Sequence, residues 1–173
     1  MIGQPSQMLD KCQISNYLQD SLGLTPEIAG FTLELMKPLN RFADPVYCLV
    51  RLIVGLMYAC HGGQKILAYP GGGHGTDGLA VVAGLIELLG GFLIAFGLLT
   101  RFAAFLASGE MAVAYFMFYV TTVEGADAKF YPIMNGGELA VFYCWFFLFV
   151  FFYGPGRWSL DALWGKGRQS ATA

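Results

Sequence analysis

Residues 79–120 read LAVVAGLIELLGGFLIAFGLLTRFAAFLASGEMAVAYFMFYV. Leu79 to Leu99 is one apolar run and Phe102 to Val120 another, with only Thr100-Arg101 between them. At 1.5 Å rise per residue a helix needs about 20 residues to cross the ~30 Å of a bilayer's hydrocarbon, and each run approaches that length. Two spans joined by so short a connection form a tight antiparallel hairpin. Outward from this pair lie two more apolar stretches, Val46 to about Leu67 and Glu138 to Tyr153, the last reaching full length only if Gly136 and Gly137 are also helical. All four are too long and too little alternating for barrel strands, and lipid requires that backbone groups be satisfied within the span. The expected fold is all-α, an integral membrane four-helix bundle.

Composition agrees. Of 173 residues, 56% are apolar and 13% charged, against about 25% charged in a soluble domain. Ten Lys and Arg oppose twelve Asp and Glu, for a formal charge of -2, which leaves no cationic surface to hold a nucleic acid. The cysteines, Cys12, Cys48, Cys60 and Cys144, show no C-x-x-C pair or metal-ligand spacing, so neither a disulfide framework nor a metal site is expected. Gly71-Gly72-Gly73-His74-Gly75 follows a membrane helix rather than a strand and lacks the Gly-Lys-Ser/Thr ending of a phosphate loop, so it reads as a flexible turn.

Basic residues set the expected orientation. Lys11, Lys37, Arg41, Arg101, Arg157, Lys166 and Arg168 fall on the side of the termini, and Lys65 and Lys129 on the other. The positive-inside rule then places both termini in the cytoplasm. No cleaved signal peptide is expected, so the first span does the targeting. Three regions follow: residues 1–44 as an interfacial or docking extension, 45–164 as the transmembrane domain, and 165–173 as a flexible tail. Within the extension, Thr25-Pro26-Glu27 reads as a helix start and Lys37-Pro38 as its stop, with Ile28, Phe31, Leu35, Met36 and Leu39 on one face. After the fourth span Gly154-Pro155-Gly156 breaks the helix, and Ser159 is placed to cap a short helix carrying Leu160, Leu163 and Trp164.

Charges at bilayer depth each need a partner or a role, since one costs at least about 2.5–3.5 kcal/mol on insertion scales. Arg51, Gly55, Tyr58, Gly62 and Lys65 share a narrow polar face of the first span. Glu87 and Glu110 sit among small residues on theirs, which turns both into the bundle. Depth along the helices expects Arg51 with Glu110 as a structural ion pair and His61 or Lys65 with Glu138 near the opposite interface. Glu87 then has no fixed cation and becomes a candidate proton acceptor or hydrogen-bond donor to a ligand, with His61 beside it as the second candidate catalytic group. Tyr58, Glu138 and Lys65 are candidate ligand-binding residues. His61 could ligate a haem, but His74 is the only other histidine and lies in the Gly-rich loop.

Arg51 through Gly62 and Lys65, Gly84-Leu85-Ile86-Glu87-Leu88-Leu89-Gly90-Gly91, Gly97-Leu98-Leu99-Thr100-Arg101, Gly136-Gly137-Glu138-Leu139-Ala140 and Gly154-Pro155-Gly156-Arg157-Trp158-Ser159-Leu160-Asp161 together resemble the DoxX family of small membrane proteins. The resemblance spans about residues 45–164 and implies a four-helix membrane bundle. It also implies kinship with the membrane subunit of thiosulfate:quinone oxidoreductase, hence a quinone-linked or redox-associated subunit. Quinone is the one cofactor it brings, with none bound covalently. The alternative is a non-catalytic accessory subunit of a larger membrane complex, contacting other membrane protein subunits through the aromatic fourth span and the N-terminal region. A transporter ranks behind both, because four short helices without an internal repeat make a poor alternating-access machine.

Overall fold

The computed structural model describes residues 20, 23, 25–69, 71 and 77–164. Among these every regular element is helical: α1 Pro26–Leu67, α2 Gly78–Phe96, α3 Thr100–Ala114 continued by a π-helical turn Tyr115–Tyr119, α4 Ala126–Phe130, α5 Pro132–Asn135 and α6 Glu138–Tyr153. A last helical turn covers 160–164. Three helical stretches are long and apolar enough to cross a membrane, Arg41–Leu67, Gly78–Phe96 and Thr100–Tyr119, with α6 a shorter apolar fourth. The chain divides into two compact units, Met1–Val46 and Tyr47–Ala173.

In the first unit α1 begins at Pro26 as its sequence predicts, but it does not stop at Lys37-Pro38. A proline deletes one backbone hydrogen bond and crowds the preceding turn, a local cost of about 3 kcal/mol. It biases the chain against helix without forbidding it, and helix-forming residues continue on both sides. Ile28, Phe31 and Leu35 are exposed. The side chains of Met36 and Leu39, residues 1–19, most of the Gly-rich loop and the tail 165–173 lie outside the described residues.

The second unit holds the bundle. Its part of α1 meets α2 backbone to backbone through glycines one heptad apart on each helix. A Cβ on Gly55 would lie 2.9 Å from the Gly91 carbonyl oxygen, one on Gly91 2.6 Å from that of Gly55, and one on Gly62 2.5 Å from that of Gly84. No side chain larger than hydrogen fits there, which is how small residues let membrane helices close up where lipid offers no hydrophobic drive. The α3–α6 contact uses Ala103, Ala104 and Ala107 against Phe147 and Val150, all buried, and Ser108 Oγ donates to the Cys144 carbonyl at 2.9 Å.

Two boundaries differ from the sequence reading. The α2–α3 connection is Gly97 to Leu99, not Thr100-Arg101, which already form the first turn of α3. Gly97 turns left-handed at φ 72° and the Leu98 N–H closes α2 on the Leu93 carbonyl, a glycine C-cap of the Schellman kind. Gly136 and Gly137 do not lengthen α6, because Gly136 is left-handed at φ 75° and ends α5. At 16 residues, α6 therefore covers about 24 Å.

Candidate functional site

Two polar clusters occupy opposite ends of this unit. The first is a clasp. Helix α3 starts after two leucines, with no local side-chain cap on its N–H groups. Asp161 supplies one from 61 residues away: its Oδ1 accepts from Leu99 N at 2.8 Å, and its Oδ2 from Thr100 N at 3.0 Å and Thr100 Oγ1 at 2.8 Å. A carboxylate there also meets the positive end of the helix dipole. Arg51, 2% exposed, donates through Nη2 to the Trp158 carbonyl, Tyr47 Oη donates to the Gly154 carbonyl, and Arg101 Nη1 to those of Phe151 and Phe152. Ser159 caps the last turn as expected, accepting from Ala162 N at 3.1 Å. The residues 154–161 thereby tie α1, α3 and α6 together.

Arg51 thus does not pair with Glu110. Depth alone brought them together, while the direction of each side chain around its helix separates them. Glu110, on α3, accepts instead from Tyr58 Oη at 2.8 Å, and Tyr58 is fully buried against Tyr143 and Phe147, ring centroids 5.4 and 4.7 Å away.

The second cluster lines a half-enclosed cavity of about 350 Å³. Tyr58, His61 and Lys65 come from α1, Glu87 from α2, Glu110 from α3 and Tyr143 from α6, with Ala83, Ala114 and Ala140 leaving the space between them. Glu87 is not without a cation: Lys65 Nζ sits 2.7 Å from its Oε1. The long lysine stem reaches back from the end of α1, and the close glycine packing sets the two helices at the right separation. Glu87 is 2% exposed and its Oε2 has no hydrogen-bond partner among the described residues; nor has the buried Tyr143 hydroxyl. His61 stands edge-on to Tyr143, centroids 6.0 Å apart. Glu138 is absent from the cavity and lies exposed in the first turn of α6; neither His61 nor Lys65 pairs with it, because Lys65 is engaged with Glu87.

Tyr143 is the residue that sequence reasoning passed over. Its signal was available: a hydroxyl in the middle of an otherwise apolar span has nowhere in lipid to donate.

A family model described as DoxX matches residues 46–120. An uncharacterized protein of Haemophilus influenzae is 41% identical over 131 residues, covering 73% of this chain and 96% of its own. The chain belongs to the DoxX family. Inner membrane protein YqjF of Escherichia coli is 26% identical over 137 residues, 74% of this chain and 98% of that one. No solved structure matches. The DoxX segment runs from α1 to the π turn, so it carries Arg51, Tyr58, His61, Lys65, Glu87 and Glu110, whereas Tyr143 and the clasp residues 154–161 lie beyond it. Apolar helices and an inner membrane relative make this DoxX protein an integral membrane protein.

Proposed function

We propose that this DoxX protein is a quinol-binding subunit of a membrane redox complex, with the cavity between Glu87 and Tyr143 as its headgroup site. One observation carries the reading: Glu87 Oε2 and the Tyr143 hydroxyl are both buried and unpartnered, and both residues line the same cavity. Buried polar atoms of this kind are rare in folded proteins and cost about 1–3 kcal/mol each when left unpaired. With Lys65 on its Oε1, the Glu87 carboxylate presents Oε2 as an acceptor, and a tyrosine hydroxyl donates. The matching ligand therefore offers one O–H donor and one acceptor oxygen on a flat, largely apolar body. A quinol has that pattern; the oxidised quinone lacks the donor. Electrons in such a complex pass to or from the quinol through a partner subunit, and the termini face the cytoplasm.

Thermal unfolding of the detergent-solubilised protein tests this. A ligand that binds only the folded state raises the midpoint as its concentration passes Kd. Quinol raises it more than quinone; Glu87→Gln, whose amide can donate to a quinone oxygen, abolishes the difference, and Tyr143→Phe, which removes a hydroxyl with no partner among the described residues, lowers the shift from both. Equal midpoints with quinol, with quinone and without either overturn the proposal.

The aromatic outer face of α6 favours an accessory contact as well. A helix of about 24 Å is shorter than the ~30 Å hydrocarbon layer, and Phe142, Trp145, Phe149 and Phe152 are exposed along it. Short spans relieve such mismatch by associating. Crosslinking from Trp145→Cys to another membrane subunit supports this contact, and crosslinking to lipid alone removes it.

A further inference from the structure

A second cavity, of about 400 Å³, lies between α2 and α3. Its walls are apolar side chains, Val82 and Ile86 from α2 and Phe105, Leu106 and Val113 from α3. It meets the polar cavity at Leu79, Ala83, Glu110, Ala114 and Phe118, which line both. Gly109 faces this space, and a Cβ built there would find nothing within 4 Å. Val82, Phe105, Leu106 and Val113 are all exposed, so in a bilayer this side of the helix pair borders acyl chains. The polar cavity thus has an apolar annex on the lipid side.

We infer that the ligand of the polar cavity reaches it sideways from the bilayer, between α2 and α3, and keeps a hydrocarbon tail in this annex once bound. The inference rests on the headgroup reading above and adds the ligand class: a membrane-resident amphiphile with a small polar ring and a long apolar chain. Glu110 marks the junction. Among the described residues it is the one ionisable group on the annex wall, and the Tyr58 hydroxyl held on its Oε2 at 2.8 Å turns its polarity toward the ring and away from the tail. Moving a chain from lipid into an apolar annex gains little by itself, since acyl tails are as apolar as leucine. The annex therefore acts as a steric requirement on tailed ligands and is silent toward tailless ones.

The test uses Gly109→Leu, which fills the annex from a position with open space around it. Two probes share one headgroup: dimethoxy-methyl-benzoquinol without a tail, and the same quinol carrying a decyl chain. Each is titrated against the thermal midpoint of wild type and variant. In Gly109→Leu the concentration of decyl quinol needed for half the full shift rises by about tenfold, or 1.4 kcal/mol, while the tailless quinol behaves as in wild type. Val113→Trp, which blocks the same space from the next turn, reproduces the effect. If both probes titrate wild type and both variants alike, the annex does not hold the tail and the inference falls while the headgroup reading stands. If neither probe shifts wild type, both fall together.

Discussion

Gly62 is the position where one methyl group should do most damage. A Cβ there would lie 2.5 Å from the Gly84 carbonyl oxygen and 2.7 Å from Leu88 Cα, besides colliding with the Leu88 nitrogen. All three obstacles are backbone, so no rotamer change relieves them. The closest carbon-to-carbonyl contacts between packed helices are about 3.3 Å, so α1 and α2 must part locally by about 1 Å. Overpacking of this kind costs about 1–3 kcal/mol. Lys65 is three residues along α1 and Glu87 is next to Leu88 on α2, so the displacement also stretches the 2.7 Å Lys65–Glu87 bond and places Gly62→Ala toward the upper end of that range. Gly90→Ala is the control, because a Cβ there meets only Tyr58 Cε1 at an ordinary 4.0 Å. Unfolding of both variants against SDS mole fraction in mixed micelles gives the comparison. The reasoning is refuted if Gly62→Ala falls within about 0.5 kcal/mol of Gly90→Ala, the spread of an ordinary surface substitution.

Removing the carboxylate of Asp161 with Asp161→Ala uncaps α3 and should cost about 1–2 kcal/mol in the same assay; Asp161→Asn, which keeps one acceptor oxygen, should lose less. Lys65→Met leaves Glu87 buried beside an apolar chain, a loss of about 2–3 kcal/mol given that Lys65 is partly exposed; adding Glu87→Gln should restore part of it, and a purely additive double variant would count against the pair. Cysteines introduced at Glu124 and at Trp164 should label from opposite sides of sealed vesicles, and labelling from one side would break the four-span topology.

The spans were legible because apolar length is a one-dimensional property that lipid reads directly. Position along a helix was legible too: Glu87 and Glu110 do turn inward, and small neighbours such as Ala83, Gly84 and Ala107 announced it. Pairing was not. Arg51 and Glu110 differ little in depth, but which carbonyl or hydroxyl each meets depends on rotation about two helix axes and on a segment more than a hundred residues away, as the bond from Arg51 to Trp158 shows. Lys65 was placed by its Cα, near the interface, when its amine lies a side chain's length deeper. The clasp had a readable cue that went unused. Thr100 begins a helix behind Leu98-Leu99, neither of which can cap it, so the cap had to come from a distant acid, and Asp161 stood in a quoted motif without a role. The loop at Gly97 was displaced by three residues because hydropathy marks where polarity changes, whereas the helix ends where Gly97 turns left-handed.

The central claim is that the polar cavity, walled by α1, α2, α3 and α6, receives a quinol headgroup at Glu87 and Tyr143. Photocrosslinking an azido-quinol to the protein in lipid nanodiscs, followed by mass-spectrometric mapping of the adducts, tests it directly. Adducts on peptides carrying Tyr58 to Lys65, Ala83 to Glu87 and Leu139 to Tyr143, suppressed by unlabelled quinol, are the predicted result. Adducts confined to outward-facing residues such as Phe92 or Trp145, and indifferent to competitor, would contradict it.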